Sequence, residues 1–204
     1  MITAATNERT LILSVFPYLP YVNTITAIFN QHSLELNCAL IANLSSFVLD
    51  YIMRQRVGGV ALNFFAMKQI PLIPTYRYND KLIEFIKSRV LELVYTSWNI
   101  KQFALSAKCD HPPFIWDEER RFLIRCELDA LYFKLYGLSR EETDYVMETF
   151  PIVKRKDIDK HGEYRTKRII LEIFDEMLDC EKQGKQYQTR LNPPPADPRV
   201  AHKE

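Results

Sequence analysis

Asn192-Pro193-Pro194 is one place in this chain where residue types and order point to chemistry. In such a motif an asparagine side chain and a backbone carbonyl accept hydrogen bonds from the amine of an extruded nucleobase, and an aromatic ring in the fourth position stacks on that base. Here the fourth residue is Pro195. The ring is missing, and RLNPPPADPR follows the last expected helix near the C-terminus. An extended, polyproline-like tail is the simpler reading.

Other chemistry is absent from the pattern. The five glycines, Gly58, Gly59, Gly137, Gly162 and Gly184, form no Gly-x-Gly, so a glycine-rich loop for a nucleotide or S-adenosylmethionine is lacking. No lysine has an acid two residues before it, which removes the Asp/Glu-x-Lys tripeptide of many metal-dependent nucleases. Gly-x-Ser-x-Gly and His-Glu-x-x-His are missing, and four scattered histidines suggest no acid–base pair. Cys109 and His111 have the types for half a metal site without a second half. The expectation is a chain without catalysis of its own.

Reading DNA needs less: bidentate side chains for base edges and cations for phosphates, on a rigid element. Arg54, Gln55 and Arg56 precede Gly58-Gly59, and Asn63, Lys68 and Gln69 follow. This is one candidate DNA-binding cluster, set against the plainer reading of cations at a helix C-terminus before a glycine turn. Phe64 and Phe65 within it read as packing residues. A second basic group comprises Lys154, Arg155, Lys156, Arg165, Lys167 and Arg168. Cations at a helix start oppose the helix dipole, and a phosphate partner would explain them. The interspersed Asp157, Asp159 and Glu163 allow a salt-bridged surface instead.

Elements must position these residues. Residues 9–20, apolar and closed by prolines, read as a buried strand. Residues 36–56 carry apolar side chains at helical spacing and end at Gly58-Gly59. Residues 60–74 alternate loosely and stop at Pro71 and Pro74, as a strand and a turn would, with room for a second short strand. The remainder is helical: one helix opened by an Asn79 or Asp80 cap, one over 117–136 too apolar for a single stripe, one begun by the Ser139/Glu142 capping-box pair, and a last one from about 163 to 183. Residues 108–115 read as a loop. Trp98 and Trp116 read as core anchors. The expected fold is α+β: a small mixed, β-containing part over 1–75, a helical subdomain over 76–183, and a flexible Pro-rich tail over 184–204.

Composition sets the limits. The chain has 204 residues, 47% hydrophobic and 26% charged, with net charge +1. That supports a real core and gives no global field for nucleic acid. Four separated cysteines suit free thiols in a reducing cytoplasm. The longest apolar stretch, 11–22, is broken by Pro17 and Pro20, so no membrane span is expected.

Several strings occur together in order: TNERTLILSVFP, NLSSFVLDYIMRQRVGGVALNFFAMKQIPLIP, DHPPFIWDEERRFLIRCELDALYFKLYGLSREETDYV and HGEYRTKRIILEIFDEM. Taken together they resemble the C-terminal region of large N6-adenine DNA methyltransferases of Type IIG-like restriction–modification and phage-defence systems. The resemblance spans nearly the whole chain. It implies the end of a target-recognition domain followed by supporting helices. It also implies a partner in double-stranded DNA and a catalytic methyltransferase domain upstream, which would hold S-adenosylmethionine. The alternative is a helical scaffold in the same enzyme that docks the catalytic domain with little DNA contact.

Overall fold

The computed structural model describes residues 7–17, 20, 25, 27–29, 31–56 and 67–203. Eight α-helices are named here: α1 (Leu34–Ser45), α2 (Phe47–Arg56), α3 (Asp80–Val94), α4 (Lys101–Ser106), α5 (Glu118–Leu135), α6 (Arg140–Glu148), α7 (Pro151–His161) and α8 (Arg165–Lys182). Helix α5 is the axis of the fold. It packs on α8 along one side and on α2 and α3 along others, while α1 lies along α3, and α6 and α7 close over α8.

The helix starts follow local rules. Asn79 accepts from Leu82 N to cap α3, and Asp117 accepts from Arg120 N to cap α5. Ser139 and Glu142 satisfy each other's backbone donors in a complete capping box on α6. Helix α7 was not anticipated. Pro151 starts it at a position where the missing N–H costs nothing, and Gly162 ends it at φ 75°. As the composition of α5 suggested, both its broad faces are covered. Ile124, Ala130, Tyr132 and Phe133 are fully buried, joined by Phe150, Ile170, Ile173 and Phe174 from neighbouring helices.

The expected single helix over 36–56 divides at Ser46. There the chain bends by 60°. Ser46 Oγ donates to Asn43 O at 2.7 Å, and the freed Phe47 N–H donates to Asp129 Oδ1 of α5 at 2.7 Å. A carboxylate from a distant helix therefore caps α2. No single described helix is long and apolar enough to cross a membrane.

The α+β expectation is wrong: the molecule is helical and no sheet forms among the described residues, whose one bridge is the isolated antiparallel pair Phe114–Ala201. Residues 11–17 do alternate, with Leu11 buried, Ile12 exposed, Leu13 half-buried and Phe16 exposed. Among the described residues no second strand answers them. The segment is held instead by Asp50 of α2, whose Oδ1 accepts from both Thr10 N and Leu11 N at 2.8 Å. Period-two burial here comes from lying across helices. The expected strand over 60–74 falls partly outside the described residues. Its remainder makes tight turns, with Ile70 N donating to Met67 O and Leu72 N to Ile70 O.

Two further expectations change. Trp98 and Trp116 are each 57% exposed and anchor no core. The Pro-rich stretch lies against the bundle. Glu127 of α5 accepts from Tyr187 Oη, Thr189 Oγ1 and Arg190 N. Glu92 of α3 accepts from Ala196 N, and Arg120 of α5 donates to the carbonyls of Pro193 and Pro194. Two buried carboxylates and one arginine thus supply the polar partners that an extended segment needs.

Candidate nucleic-acid interface

The two basic groups, about 100 residues apart in sequence, converge on the N-terminal segment. Arg54 reaches over Phe150, 4.3 Å from its ring centroid, and donates to the carbonyls of Asn7 and Glu8 at 3.0 and 2.8 Å. Lys156 of α7 pairs with the carboxylate of the same Glu8. The C-terminal turn of α2 and the outer face of α7 therefore share one border.

The side chains on this border differ in availability. Arg54 is spent on structure: its Nε also lies 3.0 Å from Asp50 Oδ2, and 12% of its side chain is exposed. Gln55, Arg56, Lys68 and Gln69 are exposed, with Arg56 Nη1 donating to Gln69 Oε1 at 3.2 Å. Asn63, together with Phe64, Phe65 and the Gly58-Gly59 joint, lies outside the described residues.

The second group is largely neutralised within the fold. Lys154 and Lys167 share Glu148, at 2.7 and 2.5 Å, and Lys167 also meets Asp144 at 2.9 Å. The two ammonium groups hold Glu148 below the usual carboxylate range. Arg165 forms a two-pronged pair with Glu119, at 3.0 and 2.5 Å, which raises its own pKa further. Arg168 is held between Glu163 and Glu172, which raise its pKa in that order. These pairs remove the conflict between cations and the α8 dipole. Arg155 is the exception: it is exposed and makes no ion pair among the described residues. Tyr164 packs between helices, its hydroxyl donating to Met147 O at 2.9 Å.

The sequence reading missed a third basic cluster. Arg9, Arg121 and Arg125 line a groove of about 410 Å³ between the N-terminal segment, α1, α3 and α5. Arg121 stacks 3.6 Å from the Trp116 ring centroid and donates to Leu93 O, while its Nε meets no acceptor among the described residues. Burial, then neighbouring Arg125, push its pKa down. Arg9 lies 3.7 Å from the Phe47 ring centroid and donates to Ser45 O, and its Nη1 also meets no acceptor among the described residues. Asp129 is the carboxylate at the groove's floor. The i, i+4 spacing of Arg121 and Arg125 on an expected helix was legible as one face. The approach of Arg9 was not.

Cys109 Sγ lies 3.2 Å from His111 Nε2, but burial raises the thiol pKa. No group of three or more His, Cys, Asp or Glu residues suited to a metal occurs among the described residues. Gly137, Gly162 and Gly184 sit in separate helix-ending turns at positive φ, so these three form no cradle for S-adenosylmethionine.

No protein-family model, curated protein or solved structure matches this chain.

Proposed function

We propose that this chain is a non-catalytic module of a restriction–modification type N6-adenine DNA methyltransferase, contributing to DNA target recognition and to placement of an upstream catalytic domain. The resemblance of the ordered sequence strings supplies the family. The observation that carries the DNA role is the convergence of α2 and α7 at Glu8, which puts Arg56 and Arg155 on neighbouring elements. Exposed Gln55, Lys68 and Gln69 extend the polar surface beside Arg56. S-adenosylmethionine and the methyl transfer would belong to the upstream domain.

A second reading, a docking scaffold with little DNA contact, draws support from one observation. Most cations of the second group are already paired with carboxylates of the same chain.

Fluorescence anisotropy with a short labelled duplex separates the two. A DNA-positioning module binds at low salt and loses affinity with a log–log slope of roughly −2 to −3, as expected for two or three phosphate contacts. Arg56→Ala with Arg155→Ala abolishes that binding. Absence of binding to any duplex at about 50 mM salt rejects the DNA role and leaves the scaffold.

A further inference from the structure

The Arg9–Arg121–Arg125 groove has more positive charge than the fold uses. Three guanidinium groups face one floor carboxylate, Asp129, and that carboxylate already caps Phe47 N. The other acids nearby are engaged: Glu118 accepts from Trp116 Nε1 at 2.6 Å, and Glu92 holds Arg120 and Ala196 N. Arg125 is exposed and makes no hydrogen bond or ion pair among the described residues. Arg121 is half-buried without an ion pair; Leu93 O takes one of its donors, and Glu118 and Glu92 oppose part of the effect of burial, which leaves room for an anion to answer the rest.

The walls restrict what that anion can be attached to. They are aliphatic, from Leu11, Leu13, Ile41, Val90, Leu93 and Leu128. The uncharged polar side chains of the lining, Ser14, Ser45, Ser46 and Thr96, are short, and none is the Asn or Gln amide that reads a base edge in two bonds. One wall is itself extended chain. Among the described residues, 12–16 make no backbone–backbone hydrogen bond, and Val15 O accepts from Ser14 Oγ at 3.4 Å, so this stretch offers an edge to another extended chain.

We propose that this groove docks an extended peptide segment of a partner polypeptide in which a carboxylate is flanked by apolar side chains. The carboxylate pairs with Arg121 and Arg125 beside the Trp116 ring. The apolar neighbours cover the aliphatic walls, and the backbone bonds along residues 12–16. This deepens the docking part of the proposed function and does not depend on DNA contact, so the two stand or fall by different measurements.

The test is selection of phage-displayed random heptapeptides on the full chain. The expected result is a family of peptides rich in Asp or Glu between Leu, Ile or Phe. Synthetic copies quench Trp116 fluorescence, the quench is absent in Trp116→Phe, and affinity falls at least about tenfold in Arg125→Glu. Arg125 makes no hydrogen bond or ion pair among the described residues but favours the buried Asp129 carboxylate, so circular dichroism of the variant separates a loss of fold from a loss of binding. Arg121→Lys retains the charge while losing the planar fork, and weakens binding less than Arg125→Glu does. The proposal is overturned if no peptide family is enriched, if the enriched peptides lack a carboxylate, or if Arg125→Glu binds them as well as the unaltered protein. Displacement of a selected peptide by short duplex DNA overturns it too, and would give the groove to nucleic acid.

Discussion

Arg89 of α3 and Glu127 of α5 meet inside the bundle, Nη2 to Oε2 at 2.6 Å, with 5% and 1% of their side chains exposed. The same carboxylate holds Tyr187, Thr189 and Arg190 of the C-terminal stretch. One buried acid therefore joins two core helices and the tail. Burial presses the Arg89 pKa down, and Glu127 opposes it.

Replacing one member of such a pair leaves the other charged and buried. Glu127→Ala is expected to cost about 3 to 5 kcal/mol, read from urea denaturation midpoints at constant m. Hydrogen exchange at the Arg190 amide should accelerate in the same variant. Unchanged exchange there would mean that Glu127 does not hold the tail.

Deleting residues 185–204 removes the tail partners of Glu92 and Glu127, leaving them Arg120 and Arg89, together with buried Leu191 and Ala201. The expected outcome is a lowered melting temperature. In the intact protein, limited proteolysis should spare this stretch despite its proline-rich composition. Rapid trimming after Gly184 without loss of stability would contradict the packing.

Asp129 sets a pH dependence. Burial raises its pKa from the ordinary 3.8 to about 6, and the Arg9 guanidinium offsets part of that rise. The folded state then binds more protons than the unfolded state between those values. Stability is greatest below about pH 4 for this group and falls as pH rises through 6. Asp129→Asn keeps an acceptor for Phe47 N and removes the titration. It should flatten this part of the profile and raise stability at pH 7.5, by about 2 kcal/mol. Thermal denaturation at half-unit pH steps measures both.

Ser139→Ala tests a purely local device. Losing the capping box on α6 should cost about 1 kcal/mol, with no effect on DNA or peptide binding. Arg168→Ala, which removes a cation already matched by Glu163 and Glu172, should leave any duplex affinity unchanged in anisotropy titrations.

Local signals were legible in the sequence. The cap at Asn79, the capping box at Ser139, the loop at 108–115 and the covered faces of α5 all follow from groups a few residues apart. Helix α7 escaped because its surface carries charges rather than an apolar stripe, although Pro151 and Gly162 marked its ends. The tryptophans misled, because ring size argues for burial only where a partner surface exists. Trp116 instead shares its ring with Arg121 at the surface.

The sequence by itself determined where most helices begin and end, because caps and hydrophobic period are short-range. Tertiary structure decided whether an alternating segment has a strand beside it and which cations remain available. Leu11 finds Asp50 rather than a sheet, and Arg165 finds Glu119 across 46 residues. Arg9 comes to share a groove with Arg121 and Arg125. Such pairings depend on how the helices pack, and no spacing in a single chain encodes them.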